Sequence, residues 1–377
     1  MHAKFSDMRL LLLLFLSSMI LCCKAQTFTL FVGTYTGSGS KGIYVYRFKA
    51  STGKAEWVSN TDSAENPSYL AISKNGKYVY AINETGGNKP GHISSYSFDK
   101  NAGKLNYINS QLSGGDHPCY VSVTKNNKWV AIANYSGGSA AVYPVNKNGA
   151  LEPSAQFIQD TGSSANKSRQ EKPHVHAAVF SPDERFLFTP DLGTDKVMIY
   201  SFNQSAKQPL TPANPSFAKI APGNGPRHLT FHPNQKFAYV IEEISGTVSA
   251  FKYNNGNLQF MQRLITHPKN YKGEIGSADI HLSPDGKFLY ASNRGGENSI
   301  TIFSVNPVTG KLVLKGYQST MGKTPRNFMV DPTGNFLLAA NQDSDNIIVF
   351  KRNKQTGLLH KTDEIKVPKP VCLKMIN

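Results

Sequence analysis

The chain has 377 residues, 39% hydrophobic and only 18% charged, enough to bury a sizeable core in one large or two ordinary domains. Its formal charge of +16 favours anionic partners, acidic small molecules among them. The cations are scattered singly, with no basic run and no aromatic–basic platform, which argues against nucleic acid as a partner.

The N-terminal stretch is set apart from the rest. Lys4 and Arg9 precede an apolar run, Leu10 to Leu21, too short to span a bilayer, and Cys23-Lys24-Ala25 places small residues where a signal peptidase reads. Residues 1–25 are therefore read as a secretory signal cleaved after Ala25, with residues 26–377 exported to the periplasm or the medium and not stably inserted in a membrane. A lipoprotein reading through Cys22 or Cys23 is the weaker one, because Met19-Ile20-Leu21 lacks the small residues expected before a lipidated cysteine. Cleavage leaves Cys119 and Cys372. Two thiols in apolar strands are too few for a disulfide framework and read as buried.

From residue 26 onward the chain repeats. Segments of the form turn, polar residue, aromatic, apolar strand recur as NGKYVYAINE, NNKWVAIANY, DERFLFTPDL, NQKFAYVIEE, DGKFLYASNR and TGNFLLAANQ. Their aromatic anchors Tyr78, Trp129, Phe186, Phe237, Phe288 and Phe336 lie 51, 57, 51, 51 and 48 residues apart. Each unit reads as four short strands, and a period near 50 with four antiparallel strands describes a propeller blade. The long interval holds the polar insertion Thr161 to Pro173. A seventh unit is split between the ends: FTLFVGTYT, GIYVYRF and AEWVS supply three strands, and KPVCLKMI at the C-terminus supplies the innermost one, closing the ring and protecting its edges. The predicted fold is all-β, a single seven-bladed β-propeller domain over residues 26–377.

Aligning the anchors separates scaffold from site. Five places after each anchor stands Asn83, Asn134, Asp191, Glu242, Asn293 or Asn341, a repeated acceptor-bearing column that reads as structural. The next column varies: Glu84, Tyr135, Leu192, Glu243, Arg294, Gln342. Ten residues before the anchors a second column varies too: Ser68, Cys119, His176, Arg227, Ala278, Arg326. The first two strands of a blade are antiparallel, so both columns converge on one mouth of the central channel. Arg227 and Glu243 have two readings, a hairpin salt bridge or part of an anion grip. Arg294 and Arg326 nearby exceed what one carboxylate neutralises, which favours an anionic ligand held by planar forks. His174 and His176 alternate on one strand, yet no carboxylate–cysteine set accompanies them, so no metal is expected. A Cys119–His117 nucleophile would require the two side chains to touch.

The motifs FVGTYT, HVHAAVFSPDERFLFTPDLGTDKV, GNGPRHLTFHPNQKFAYVIEE, SPDGKFLYASNRG and TPRNFMVDPTGNFLLAANQ resemble the seven-bladed propeller lactonase family, which includes bacterial 6-phosphogluconolactonases and fungal carboxymuconate lactonizing enzymes. The resemblance spans essentially the whole mature chain. It implies a site of one histidine, two arginines and one glutamate. By motif the arginines and the glutamate fall on Arg227, Arg294 and Glu243, and the histidine on one of the pair His174 and His176, of which the blade register favours His176; Glu243 or His176 is the expected general base. His174, His228, Arg326, Tyr135 and Glu84 are candidate substrate-binding residues around them. The implied activity is hydrolysis of an anionic sugar lactone, 6-phosphogluconolactonase-like and cofactor-free. The alternatives are the reverse, lactonizing chemistry and a propeller that binds without turnover.

Overall fold

The computed structural model describes residues 26–37 and 39–377, so the proposed leader, residues 1–25, lies outside the described residues. Seven four-stranded antiparallel sheets form the seven blades of a propeller. Their innermost strands are Pro370–Ile376 in blade 1, then Leu70–Ile72, Pro118–Val123, Val179–Phe180, Pro226–Phe231, Ser277–Leu282 and Pro325–Val330 in blades 2 to 7. The C-terminal strand pairs with Thr27–Thr34, Gly33 opposite Cys372 and Thr29 opposite Ile376, so the ring closes as the split repeat predicts. No helix among the described residues is long and apolar enough to cross a membrane.

The recurring turn works by side-chain capping. A polar residue five places before the anchor binds the anchor's amide: Ser73 holds Tyr78, Thr124 holds Trp129, Ser181 holds Phe186, Ser283 holds Phe288 and Asp331 holds Phe336. The anchor rings then key each blade to the next. Phe237 packs on Gly310, Phe288 on Gly357 and Phe336 on Gly53, where an added Cβ would come within 2.4, 2.4 and 2.5 Å of the ring. These glycines also hold φ near +70 to +77°, a region open to glycine at no steric cost.

The acceptor column is structural, as its repetition implies. Asn83, Asn134, Asn293 and Asn341 donate their amides to the carbonyls of Glu65, Ser113, Thr266 and Thr320, each in the segment that enters the same blade. Where the column carries acids the roles invert. Asp191 accepts the His174 and Gly193 amides and the Thr194 hydroxyl, and Glu242 accepts from Asn224, Thr247 and Ser249.

Candidate active site

Every innermost strand whose register can be followed into its first residues begins with the same irregularity. Pro226 pairs with Glu242 and His228 with Ile241, leaving Arg227 as an extra residue. Cys119, Arg326 and Val371 are bulged in the same way, and the bulge in blade 6 falls at Ala278 and Asp279. A bulge bends its strand and re-aims the extra side chain. This device turns one sequence column toward the mouth of the channel, while the residue after it forms the floor.

At the mouth, Glu243 is surrounded by arginines. Its Oε2 lies 2.9 Å from Arg227 Nε and 2.9 Å from Arg294, and its Oε1 lies 2.6 Å from Arg169. Arg227 is fully buried, and its Nε–H is not aimed along a hydrogen-bond line, so that contact is ionic rather than directed. The guanidinium also donates to the Ala278 carbonyl and approaches His228 Nε2 at 3.4 Å. Burial alone would push the Glu243 carboxyl up, but Arg294, Arg227 and Arg169 outweigh it and hold the group well below the usual carboxylate range. Burial, with Arg294 and Arg326 adding repulsion, pushes Arg227 down to about 10. It remains a cation at neutral pH.

The pair on which two readings met is thus an ion pair, but one shared among three guanidinium groups. Across the mouth Arg326 lies over the Tyr35 ring, 5.5 Å to its centroid, and 3.8 Å from Glu84. Glu84 accepts from the Tyr35 hydroxyl at 2.8 Å and from Ser68.

His176 is buried beside Cys119, Sγ to Nδ1 3.6 Å, with its ring 5.3 Å from those of Tyr135 and His228. Burial first, then Arg227 and His228, lower its pKa well below the usual imidazole value, so it is neutral at pH 7. Burial pushes the Cys119 thiol up, which leaves a protonated S–H and no nucleophile; His117 instead bonds Ser136. His174 stacks on Tyr135 at 4.6 Å and lies 3.1 Å from Glu171 in the insertion. His228 lies one level deeper. Its Nδ1 is 2.8 Å from Asp279, which also takes His281 and Asn327, and its ring meets Tyr69 and Tyr120. Thus His176, Arg227, Glu243 and Arg294 come together, Tyr135 and His174 flank them, Arg326 and Glu84 sit opposite, and His228 belongs to the floor.

Two groups of site residues escaped the sequence reading. Arg169 lies in the insertion, which has no counterpart in the other blades and so no column to register. Tyr69, Tyr120, Asp279 and Asn327 occupy the column just after the bulge, which varies as much as its neighbour and could have been found by the same alignment. Among the described residues, no group of three or more histidine, cysteine, aspartate or glutamate side chains is placed to hold a metal ion. A cavity of about 540 Å³ lies at the opposite rim among the turns holding Tyr78, Lys128 and Trp129, remote from this chemistry.

The buried imidazoles make stability pH-dependent. His228 is pushed down to about 4, by burial first and then by Arg227, against the pull of Asp279. A group whose pKa is lowered on folding contributes stability above its unfolded pKa and loses it as pH falls through the folded one. Asp160, pushed up to about 7 by burial and Asp191, acts with the opposite sign over the same window, so a comparison with a variant isolates the histidine. The difference in unfolding free energy between the parent and His228→Gln is expected to shrink by roughly 3 kcal/mol from pH 6.5 to pH 4. A difference constant across that range in denaturant titrations would contradict the buried neutral imidazole.

A family model described as "Lactonase, 7-bladed beta-propeller" matches residues 29–375. The chain belongs to this lactonase family. It is 42% identical over 334 residues to a 6-phosphogluconolactonase of Formosa agariphila, covering 88% of this chain and 94% of that protein. With a 6-phosphogluconolactonase of Bacillus subtilis the identity is 38% over 352 residues, covering 92% and 98%. The structure of a periplasmic gluconolactonase from Pseudomonas aeruginosa superposes with a TM-score of 0.89 at 37% identity, covering 93% of this chain and 99% of that one.

Proposed function

We propose that this propeller hydrolyses sugar lactones of the 6-phosphogluconolactone type at the arginine-lined mouth. The observation that carries the reading is the buried arginine cluster on Glu243 set beside a neutral histidine, in a chain of this family. Arg227 and Arg294 present fixed positive charge where a lactone carbonyl oxygen becomes an oxyanion. Of the two candidate bases, Glu243 has both oxygens occupied by guanidinium groups, whereas no described residue hydrogen-bonds to His176 Nε2. That contrast favours His176 as base and Glu243 as the counter-ion that organises the arginines.

In this mechanism a water oxygen attacks the carbonyl carbon and gives its proton to His176. The tetrahedral oxyanion rests against the arginines. On collapse the bond from the carbonyl carbon to the ring oxygen breaks, and the ring oxygen takes the proton back. The product is the open-chain hydroxy acid.

Proton release from glucono-δ-lactone, with and without a 6-phosphate, tests the reading. Catalysed release that persists after exhaustive chelation is expected. Binding of the lactones without turnover would leave a ligand-binding propeller, and loss of turnover on chelation, restored by a divalent ion, would overturn the metal-free mechanism. The leader read over residues 1–25, independent of the chemistry, would carry the activity out of the cytoplasm. Protein recovered after export should have an intact mass that starts at Gln26, and a mass retaining residues 1–25 would refute the leader.

A further inference from the structure

We infer that Arg169, on the insertion between blades 3 and 4, is the specificity-determining residue for a negatively charged substituent of the substrate, parked on Glu243 Oε1 until that substituent takes it over. The inference rests on the lactone-hydrolase reading and narrows its substrate class to lactones carrying a phosphate or carboxylate away from the reacting carbonyl.

The charge balance comes first. Three guanidinium groups, Arg169, Arg227 and Arg294, meet one carboxylate, so the cluster carries an excess of cation. Two of the three are fixed. Arg227 is 2% exposed at its side chain and built into the bulge; Arg294 is 18% exposed and donates Nε to the Gly276 carbonyl. Arg169 differs, with 42% of its side chain exposed. Apart from Glu243, its side-chain hydrogen bond is to the Tyr135 hydroxyl, long at 3.3 Å.

The backbone beneath it is held. Gln170 is fully buried, donates Nε2 to the Leu192 carbonyl at 2.8 Å and accepts the Asn166 amide at 2.9 Å. The Arg169 amide binds the Asn166 carbonyl at 3.1 Å, and Ser164 bonds Asp195 on the body of the propeller at 2.6 Å. The Arg169 Cα therefore stays in place while its long side chain can change partners.

Such an exchange is inexpensive. When Arg169 leaves Oε1, Arg227 and Arg294 remain on Oε2, so no buried carboxylate is stranded, the usual penalty of breaking a buried ion pair. The arriving anion gains a planar fork matched to phosphate or carboxylate geometry. A neutral lactone offers nothing for which Arg169 would leave Glu243, so the substituent's charge, and not the ring, is what this residue reads.

The test measures discrimination directly, by titration calorimetry with the product acids 6-phosphogluconate, glucarate and gluconate, and by kcat/KM with the phosphorylated and unphosphorylated lactones. Wild-type protein should prefer 6-phosphogluconate or glucarate over gluconate by tenfold or more. Arg169→Gln should bring that ratio close to one, and Lys172→Gln, a cation change in the same loop, should preserve it. Dependence on Arg169 with either anion supports the proposal and names the anion. A wild-type protein without preference, a ratio in Arg169→Gln within twofold of wild type, or a ratio abolished only by Arg326→Gln would overturn it. Because binding is read separately from turnover, an Arg169-dependent preference with no hydrolysis would refute the lactonase reading alone, and hydrolysis with an Arg169-independent preference would refute this inference alone.

Discussion

Replacing Arg227 by alanine is expected to lower kcat/KM for lactone hydrolysis by roughly a hundredfold or more, the usual loss when a fixed oxyanion-stabilising group is removed. A surface ion pair would have predicted a different result, about 1 kcal/mol or less of stability and no loss of turnover. The structure buries Arg227 completely and ties it to Ala278, His228 and Glu243. Its removal therefore also leaves a cavity, and a destabilisation of about 3 kcal/mol is expected, at the low end for a broken buried pair because Glu243 keeps Arg169 and Arg294.

Arg227→Lys separates the two effects. It keeps the charge but loses the planar fork, so it should melt nearer to the parent while its kcat/KM still falls by tenfold or more. Glu243→Gln should behave differently again. It removes the carboxylate charge that three cations share, so stability and turnover fall together. Parental kcat/KM in both Arg227 variants would reduce this hairpin to scaffold.

Deleting residues from Pro370 onward is expected to cost several kcal/mol, a large part of the 5–15 kcal/mol typical of a whole domain, and to leave the chain mostly insoluble. The segment is the innermost strand of blade 1, paired along Thr27–Thr34. Val371, Cys372 and Leu373 are all at most 1% exposed, and burying an aliphatic side chain contributes about 1.5–3 kcal/mol. The strand also bonds both neighbouring blades: Leu373 donates its amide to Asn327 and Cys372 Sγ accepts the Leu70 amide. Without it, the edge of Thr27–Thr34 faces the channel unpaired, an invitation to intermolecular strand addition. A truncated protein that stays soluble and melts with the parent would show that the ring does not depend on this closure.

The sequence by itself determined the architecture of this protein, because a propeller is specified locally and repeatedly. Each blade carries its own turn, its own aromatic anchor and its own acceptor, and six registered copies make the signal unambiguous where one would be weak. The same register singled out Arg227, Glu243, Arg294 and His176, since a mouth residue is one that repetition does not explain.

Tertiary structure decided what no column could hold. Arg169 reaches Glu243 from an insertion 74 residues away in sequence. Asp279 joins His228 to Asn327 across three blades, and Cys119 meets His176 rather than His117. Periodicity reports which way a side chain leaves its own strand, but these contacts form between strands of different blades. So does the electrostatics: a carboxylate in the turn just after its strand reads as an ordinary base until three arginines from three places close around it. Whether Glu243 serves as base or counter-ion is set by that convergence, because charge interactions in a buried site depend on distances through space that sequence spacing does not encode.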